Sequence, residues 1–200
     1  MSTDTSRTGL IREATALDAA AIAQVHVASW RSTYCGIIDD AYLARLSVEA
    51  HARGWSSWFA THPKPGFLRV VVDDSAKIVG FAMAGSVRGA TTPADGEVQV
   101  LYLLAAHQRA GLGGALLRSM ARGLQQRGMT AVVIRVLQRN PACAFYARMG
   151  GHRTESRFTR VGSQRLAEVT YRWGDIDALI AAPSGKTSDG NTLGPSTRDP

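Results

Sequence analysis

Val98-Gln99-Val100-Leu101-Tyr102-Leu103-Leu104, then His107-Gln108-Arg109-Ala110-Gly111-Leu112-Gly113-Gly114-Ala115-Leu116-Leu117: an apolar run, a glycine-bearing turn and the start of a helical pattern. A strand that empties through such a turn into a helix is an anion site. Glycine lets the backbone approach a ligand closely. The first helical N–H groups have no internal partner, and the helix dipole favours negative charge there. The expected ligand carries phosphate. The turn is not a Walker A loop, because no Lys-Ser or Lys-Thr follows Gly113. Nor is it a dinucleotide fingerprint: Leu116 stands where a third glycine or alanine is needed, and no clear ribose-binding acid lies about 20 residues on. A glycine-punctuated helix start with no ligand is the plain alternative.

The turn does fit Gln/Arg-x-x-Gly-x-Gly/Ala, as Gln108-Arg109-Ala110-Gly111-Leu112-Gly113. Upstream stands Glu97-Val98-Gln99-Val100-Leu101-Tyr102-Leu103. Downstream come a second apolar run, Ala131-Val132-Val133-Ile134-Arg135-Val136, and then Asn140-Pro141-Ala142-Cys143-Ala144-Phe145-Tyr146-Ala147-Arg148-Met149-Gly150. In this order and spacing the segments resemble the GNAT acetyltransferase superfamily. The resemblance covers residues 11–173 and is strongest over 97–150. One departure stands out: Gly150-Gly151 occupies the place where family members usually have Gly-Phe.

The resemblance implies a mixed α+β fold, with a mostly antiparallel sheet of about seven strands flanked by helices. Its central strand pair is expected to splay near the glycine loop. The pantetheine arm of acetyl-CoA, the acyl-donor cosubstrate, enters that gap and pairs with the exposed backbone. By the same resemblance Gly111, Leu112, Gly113 and Gly114, with the flanking Gln108, Arg109 and Ala110, hold the pyrophosphate. Leu101 and Leu103 offer main-chain groups to pantetheine. Asn140 is fully explained as a helix cap, and in the family this position also bonds the donor.

Transfer of an acetyl group from a thioester to an amine needs a neutral amine, a polarised carbonyl and a proton for the departing thiolate. Tyr146, matching the family tyrosine, is the candidate for the last role, since a phenol is neutral at pH 7 and can donate. Packing beside Phe145 is its alternative. Glu97 is the general-base candidate, acting through a water, against an ordinary solvated strand-end carboxylate. His26 and Tyr34 are weaker alternatives for the base or for substrate contact. The segment Val25–Gly36 resembles the first helix of a group of small bacterial-type family members, where it walls the acceptor pocket. Trp30 and Tyr34, four apart, share a helix face; together with Glu97 they are the candidate substrate contacts, with core packing as the alternative for the two aromatics. The implied activity is transfer to a primary amine of a small molecule or peptide by direct attack in a ternary complex. The competing reading is a non-catalytic acyl-CoA-binding regulatory module, since fold does not fix activity.

With 200 residues, 45% of them hydrophobic, one domain over residues 9–182 is expected. Disordered tails are expected at 1–8 and 183–200, where core-forming residues are few. No apolar run approaches a membrane span, and residues 1–8 lack the apolar core of a signal peptide, so a cytoplasmic protein is the expectation. Two cysteines make neither a disulfide framework nor a metal site, and Cys143 reads as a small core residue. The net charge of +7 invites a nucleic-acid reading, but the arginines are scattered. Arg109, Arg118 and Arg122 instead suit a phosphate-bearing ligand. No nucleic-acid partner is expected, and a homodimer is possible by analogy with the family.

The remaining elements follow from periodicity and punctuation. Leu10–Ala14 reads as an edge strand, and Thr15 with Asp18 as a capping box. A helix runs through Ala19, Ile22, Ala23, Val25, Val27 and Trp30 to a break at Gly36. Asp39 or Asp40 and then Ser47 cap two further helices, the second ended by Pro63 and Pro65. Phe67–Val72 and Ile78–Ala84 form a hairpin, and Arg88–Gly96 is a polar connection. Gly128 and Gly150 end the two downstream helices, and residues 152–159 and 166–173 make a C-terminal hairpin.

Overall fold

The apolar residues of the central strands face helices, because that part of the sheet is covered on both sides. The computed structural model describes residues 9–61, 66–87 and 95–182; the expected tails, Pro63 and Pro65, and most of the connection after Arg88 lie outside them. The strands are β1 (Leu10–Glu13), β2 (Gly66–Val72), β3 (Ile78–Ser86), β4 (Asp95–Leu103), β5 (Ala131–Leu137), β6 (His152–Val161) and β7 (Gln164–Trp173). The helices are α1 (Ala19–Tyr34), α2 (Asp40–Ala44), α3 (Val48–Ala60), α4 (Leu112–Gln125), α5 (Ala142–Arg148) and α6 (Ile176–Ala181). The strands form one sheet of seven in the order β1-β2-β3-β4-β5-β7-β6. Every neighbouring pair is antiparallel except β4 with β5, which is parallel. This is the expected mixed sheet. The short α6 is not foreseen from the sequence; Asp175 caps it through Asp177 and Ala178 N–H groups.

Alternation sorts the strands onto the two faces. Val71, Val79, Ala82, Val98, Ile134 and Val136 point to the face covered by α4, α5 and α6. Leu68, Val70, Val72 and Phe81 point to α1 and α3. The capping box forms as read: Thr15 N–H donates to Asp18 Oδ2 at 2.8 Å. Arg12 grips the same carboxylate with both terminal nitrogens, at 2.7 and 2.8 Å. That bidentate bond, ahead of the other causes, holds the Asp18 carboxyl down to about 2 and ties β1 to the entry of α1.

The Gly150-Gly151 departure has a physical reason. Gly150 ends α5 with φ +81°, a conformation that favours glycine. Over Gly151 lies the indole of Trp173 from β7: an added Cβ would sit 2.6 Å from Trp173 Cζ2. Trp173 also donates its Nε1–H to the Met149 carbonyl at 2.8 Å and meets Tyr146 edge-on at 6.2 Å. The tryptophan thus covers the glycine, and no phenylalanine is needed or tolerated there. Gly151→Ala should therefore destabilise by about 1–3 kcal/mol through overpacking. Combining it with Trp173→Leu should cost less than the sum of the two single changes, as chemical denaturation of the four proteins would read.

Candidate active site

The glycine loop is built by backbone conformation. After a 3-10 turn at Ala105–His107, Arg109 has φ 61° and Gly111 φ 78°. These two left-handed residues swing the chain into α4. A Cβ on Gly111 would meet nothing within 4 Å, so the position opens onto free space. The first bond that closes the helix is Ala115 N–H to Gly111 C=O at 3.1 Å. The N–H groups of Leu112, Gly113 and Gly114 therefore lack intrahelical acceptors. The other two glycines serve packing. A Cβ on Gly113 would lie 3.4 Å from Phe145 Cζ, and one on Gly114 3.4 Å from Met149 Sδ, so both let α4 approach α5. Leu112 buries its side chain in the core, and Arg109 and Ala110 are exposed at the lip. Of the arginines expected around the loop, Arg118 is buried and folds back toward Gly114. Arg122 lies among the charges facing Arg69, farther along the helix.

Beside the loop the sheet comes apart. β4 and β5 pair only at Asp95–Ala131, Gly96–Val132 and Glu97–Val133. Beyond Glu97 the two strands diverge, as expected of the central pair. A bulge helps them part: Met83 faces Val100 and Ala84 faces Val98, leaving Gln99 as an extra residue in β4. Leu104 N–H donates to Val79 C=O at 2.9 Å. In an antiparallel ladder such bonds alternate. The main-chain groups of Leu101 and Leu103 therefore turn away from β3, toward the gap. The Leu103 carbonyl is met by Gln108 Nε2 at 3.0 Å, so Gln108 braces the strand as well as flanking the loop.

Four polar side chains from distant elements meet at this opening. Asn140 Oδ1 accepts the Ala142 N–H at 2.8 Å, which is the expected cap. Its Nδ2 donates to Tyr34 Oη at 3.2 Å, tying α5 to α1 across the gap. The hydroxyls of Tyr34 and Tyr102 lie 3.4 Å apart. Tyr146 is buried, packed between Phe145 and Tyr171, and no hydrogen bond to its hydroxyl forms among the described residues. Burial, with Tyr34 and Cys143 nearby, raises the Tyr146 phenol well above its ordinary value. Burial likewise raises Tyr34 and Tyr102. All three phenols remain proton donors at neutral pH. Cys143 is half-buried rather than fully in the core.

Glu97 sits at the last paired position of β4 and is fully buried, 0% exposed, which overturns the solvated-carboxylate alternative. Arg135, two residues beyond its β5 partner Val133, reaches it at 3.4 Å and offsets the cost of burying the charge. On the same face α1 and α3 build an aromatic wall. His26 stacks on Tyr102, with centroids 5.3 Å apart, and meets His51 edge-on at 4.8 Å. Trp30 lies 5.1 Å from Tyr34, so the two candidate contacts on α1 do share a face. His51 Nδ1 lies 2.8 Å from the Ser47 carbonyl. A carbonyl only accepts, so that nitrogen carries a proton. Tyr102, His51 and Arg135 escape the sequence reading. Tyr102 is hidden in an apolar strand run; the other two become relevant only through contacts between distant elements.

Comparison with known proteins bears on this arrangement. A family model described as FR47-like protein matches residues 81–160. The Bacillus subtilis (strain 168) protein YuaI, described as an uncharacterized N-acetyltransferase, is 36% identical over 169 residues, spanning 84% of this chain and 95% of its own length. The chain belongs to the GNAT N-acetyltransferase superfamily. Solved GNAT structures share the fold. The PaiA N-acetyltransferase of Thermoplasma acidophilum, in complex with coenzyme A, is 15% identical with a TM-score of 0.62, over 81% of this chain and 98% of that one. YncA of Salmonella typhimurium, solved with its cofactor acetyl-CoA, is 19% identical with a TM-score of 0.63, over 85% and 95%.

The residues present fit acetyl-CoA, the GNAT acyl donor: an open left-handed glycine, a row of helix N–H groups without acceptors, and a strand edge without a neighbour. Among the described residues no helix is long and apolar enough to cross a membrane, and no group of three or more His, Cys, Asp or Glu could hold a metal ion.

Burial, with the His51 charge second, pushes His26 down from 6.5 to about 4. The unfolded chain therefore takes up a proton that the folded chain refuses between those values. The resulting stability is complete above pH about 6.5 and is lost as pH falls toward 4, by up to about 3 kcal/mol. His26→Phe should flatten that part of the stability profile, as urea denaturation between pH 4 and 7.5 would record.

Proposed function

We propose that this GNAT acetyltransferase moves the acetyl group of acetyl-CoA to a primary amine of a small molecule or peptide, by direct attack in a ternary complex. The observation that carries the reading is the three-pair contact between β4 and β5. Its free β4 edge lies between the glycine turn on one side and Tyr34, Asn140 and Tyr146 on the other. The N–H groups of Leu112, Gly113 and Gly114, with the exposed Arg109 and Ala110 at the lip, would hold the pyrophosphate. The groups of Leu101 and the N–H of Leu103 would take the pantetheine amides. The donor supplies an activated acyl group and a thiol leaving group. Gln108 and Asn140 act here mainly as braces, one on Leu103 and the other on Tyr34.

The chain's own residues then move protons. The Tyr146 hydroxyl, protonated and without another partner among the described residues, is the donor to the leaving sulfur. Glu97 is the base that draws a proton from the amine through a water; Arg135 fixes its carboxylate. Trp30 and Tyr34 wall the acceptor. A non-catalytic acyl-CoA-binding module would bind the donor equally well but would have no use for the buried Glu97 or for a free Tyr146 hydroxyl. Release of free thiol from acetyl-CoA across an amine panel separates the two.

Two expected outcomes follow. Gly111→Asp places a carboxylate where phosphate would sit and should weaken acetyl-CoA binding at least 100-fold by calorimetry. Gly111→Ala, which has room but strains a left-handed residue by about 1–2 kcal/mol, should bind nearly as wild type. Tyr146→Phe should leave folding and acetyl-CoA affinity in place and lower turnover by roughly 10- to 1000-fold with little change in acceptor KM. A wild-type rate, under conditions where chemistry limits turnover, would remove Tyr146 from the mechanism.

A further inference from the structure

Between α1 and β4 the site holds more polar hydrogens than oxygens to receive them. The Asn140 amide is oriented without ambiguity, because its oxygen already takes the Ala142 N–H. Its NH₂ therefore donates to Tyr34. Tyr34 and Tyr102 share one contact between their hydroxyls. Two phenol protons and one hydrogen bond leave one O–H over, whichever of the two donates. Next to them, among the described residues, the buried Trp30 Nε1–H has only a poorly formed hydrogen bond to the Tyr102 hydroxyl as an answer. An indole N–H can only donate. His26 does not answer these donors: it lies stacked on the Tyr102 ring, which directs its in-plane nitrogens away from that ring, and its own Nδ1 is buried without a partner. A buried donor left poorly paired is costly, and here one spare phenol proton and one weakly bonded indole N–H lie side by side on α1 and β4. Such a surplus calls for an oxygen supplied from outside the chain.

We infer that Trp30, Tyr34 and Tyr102 together bind a carbonyl or carboxylate oxygen carried by the acceptor next to its amine, which makes the acceptor an amino acid, an amino amide or a peptide N-terminus rather than a plain alkylamine or polyamine. The inference rests on the acetyl-transfer reading above and deepens it. Tyr102 is then a specificity-determining residue. Its ring is fixed by His26 and its hydroxyl by Tyr34, and through Tyr34 the position of that hydroxyl depends on the α5 cap. A donor pair that reads one oxygen discriminates strongly against analogues lacking it, because those analogues leave the pair unpaired again.

The test uses matched amines: phenylalaninamide, phenylalanine and phenethylamine, and the corresponding leucine set with isoamylamine. Each is titrated into the full-length protein loaded with coenzyme A and assayed with acetyl-CoA. The oxygen-bearing members should bind at least 10-fold tighter and show at least 10-fold higher kcat/KM than the bare amines. Amide against acid tells whether the oxygen is a carbonyl or a carboxylate. Tyr102→Phe should cut that preference by about 10- to 100-fold, mostly through KM, while coenzyme A affinity holds. Should Tyr102→Phe fold poorly, Trp30→Phe removes the indole N–H and should reduce the same preference. Equal binding and equal rates for all amines would overturn the inference and leave acetyl transfer standing. So would a Tyr102→Phe variant that lost coenzyme A affinity and kept its amine preference, since the free proton would then serve the donor's own amides. Coenzyme A binding with no amine acetylated would sink the transfer reading; the calorimetric preference, which needs no turnover, would still uphold or refute the oxygen site.

Discussion

Two parallel strands that pair at three positions and then separate govern the rest of this molecule. Main-chain N–H and C=O groups seek partners almost without exception. A sheet that opens in its middle must therefore be held open, and something must answer the exposed edge. The opening is held by a bulge, by strand pairing and by a side-chain hydrogen bond. The extra residue Gln99 in β4 turns that strand away. β5 stays engaged with β7 as far as Leu137, which keeps it from following β4. Gln108 holds the far end of β4 through the Leu103 carbonyl. The glycine turn begins just beyond, so the acceptors and donors of the strand edge and the N–H groups of α4 line one continuous path.

A second consequence is that the two helical layers have different tasks. The layer of α4, α5 and α6 sits on the large apolar cluster and contributes the turn, the Asn140 cap and Tyr146. The layer of α1 and α3 contributes an aromatic wall around His26. At the opening a short polar chain runs from Asn140 to Tyr34 to Tyr102 and joins the layers. Burial keeps each phenol in that region protonated. The buried carboxylate at the parting of the strands, Glu97, has a cation beside it in Arg135.

Much of this was legible in the chain itself. The turn, the strand before it and the helix after it are local, and glycine, caps and apolar periodicity report local geometry directly. The splay of the central strands is implied only by the resemblance, because no pattern within one strand says where its neighbour departs. For Glu97 the sequence leaves a solvated carboxylate open beside a general base: a carboxylate at a strand end looks exposed until a cation two residues past the partner strand's last pairing reaches back to it. Tyr102 was read only as one apolar position among several. Its significance depends on Tyr34, 68 residues away in the chain, and on His26 beneath its ring. Gly151 read as a lost aromatic, and only the position of Trp173 explains why the space is already full.

Because the path along Leu101, Leu103 and the start of α4 is made of main chain, it asks for a shape rather than for particular side chains. Beyond a glycine at the turn, substitutions along it can accumulate while the path stays the same. The wall of Trp30, Tyr34 and Tyr102 has no such freedom, since each contribution there is a specific ring or hydroxyl. On the proposed reading, divergence in this fold can retune what is acetylated without disturbing how the acyl group is delivered, so that two relatives with little sequence in common share a donor and differ in acceptor.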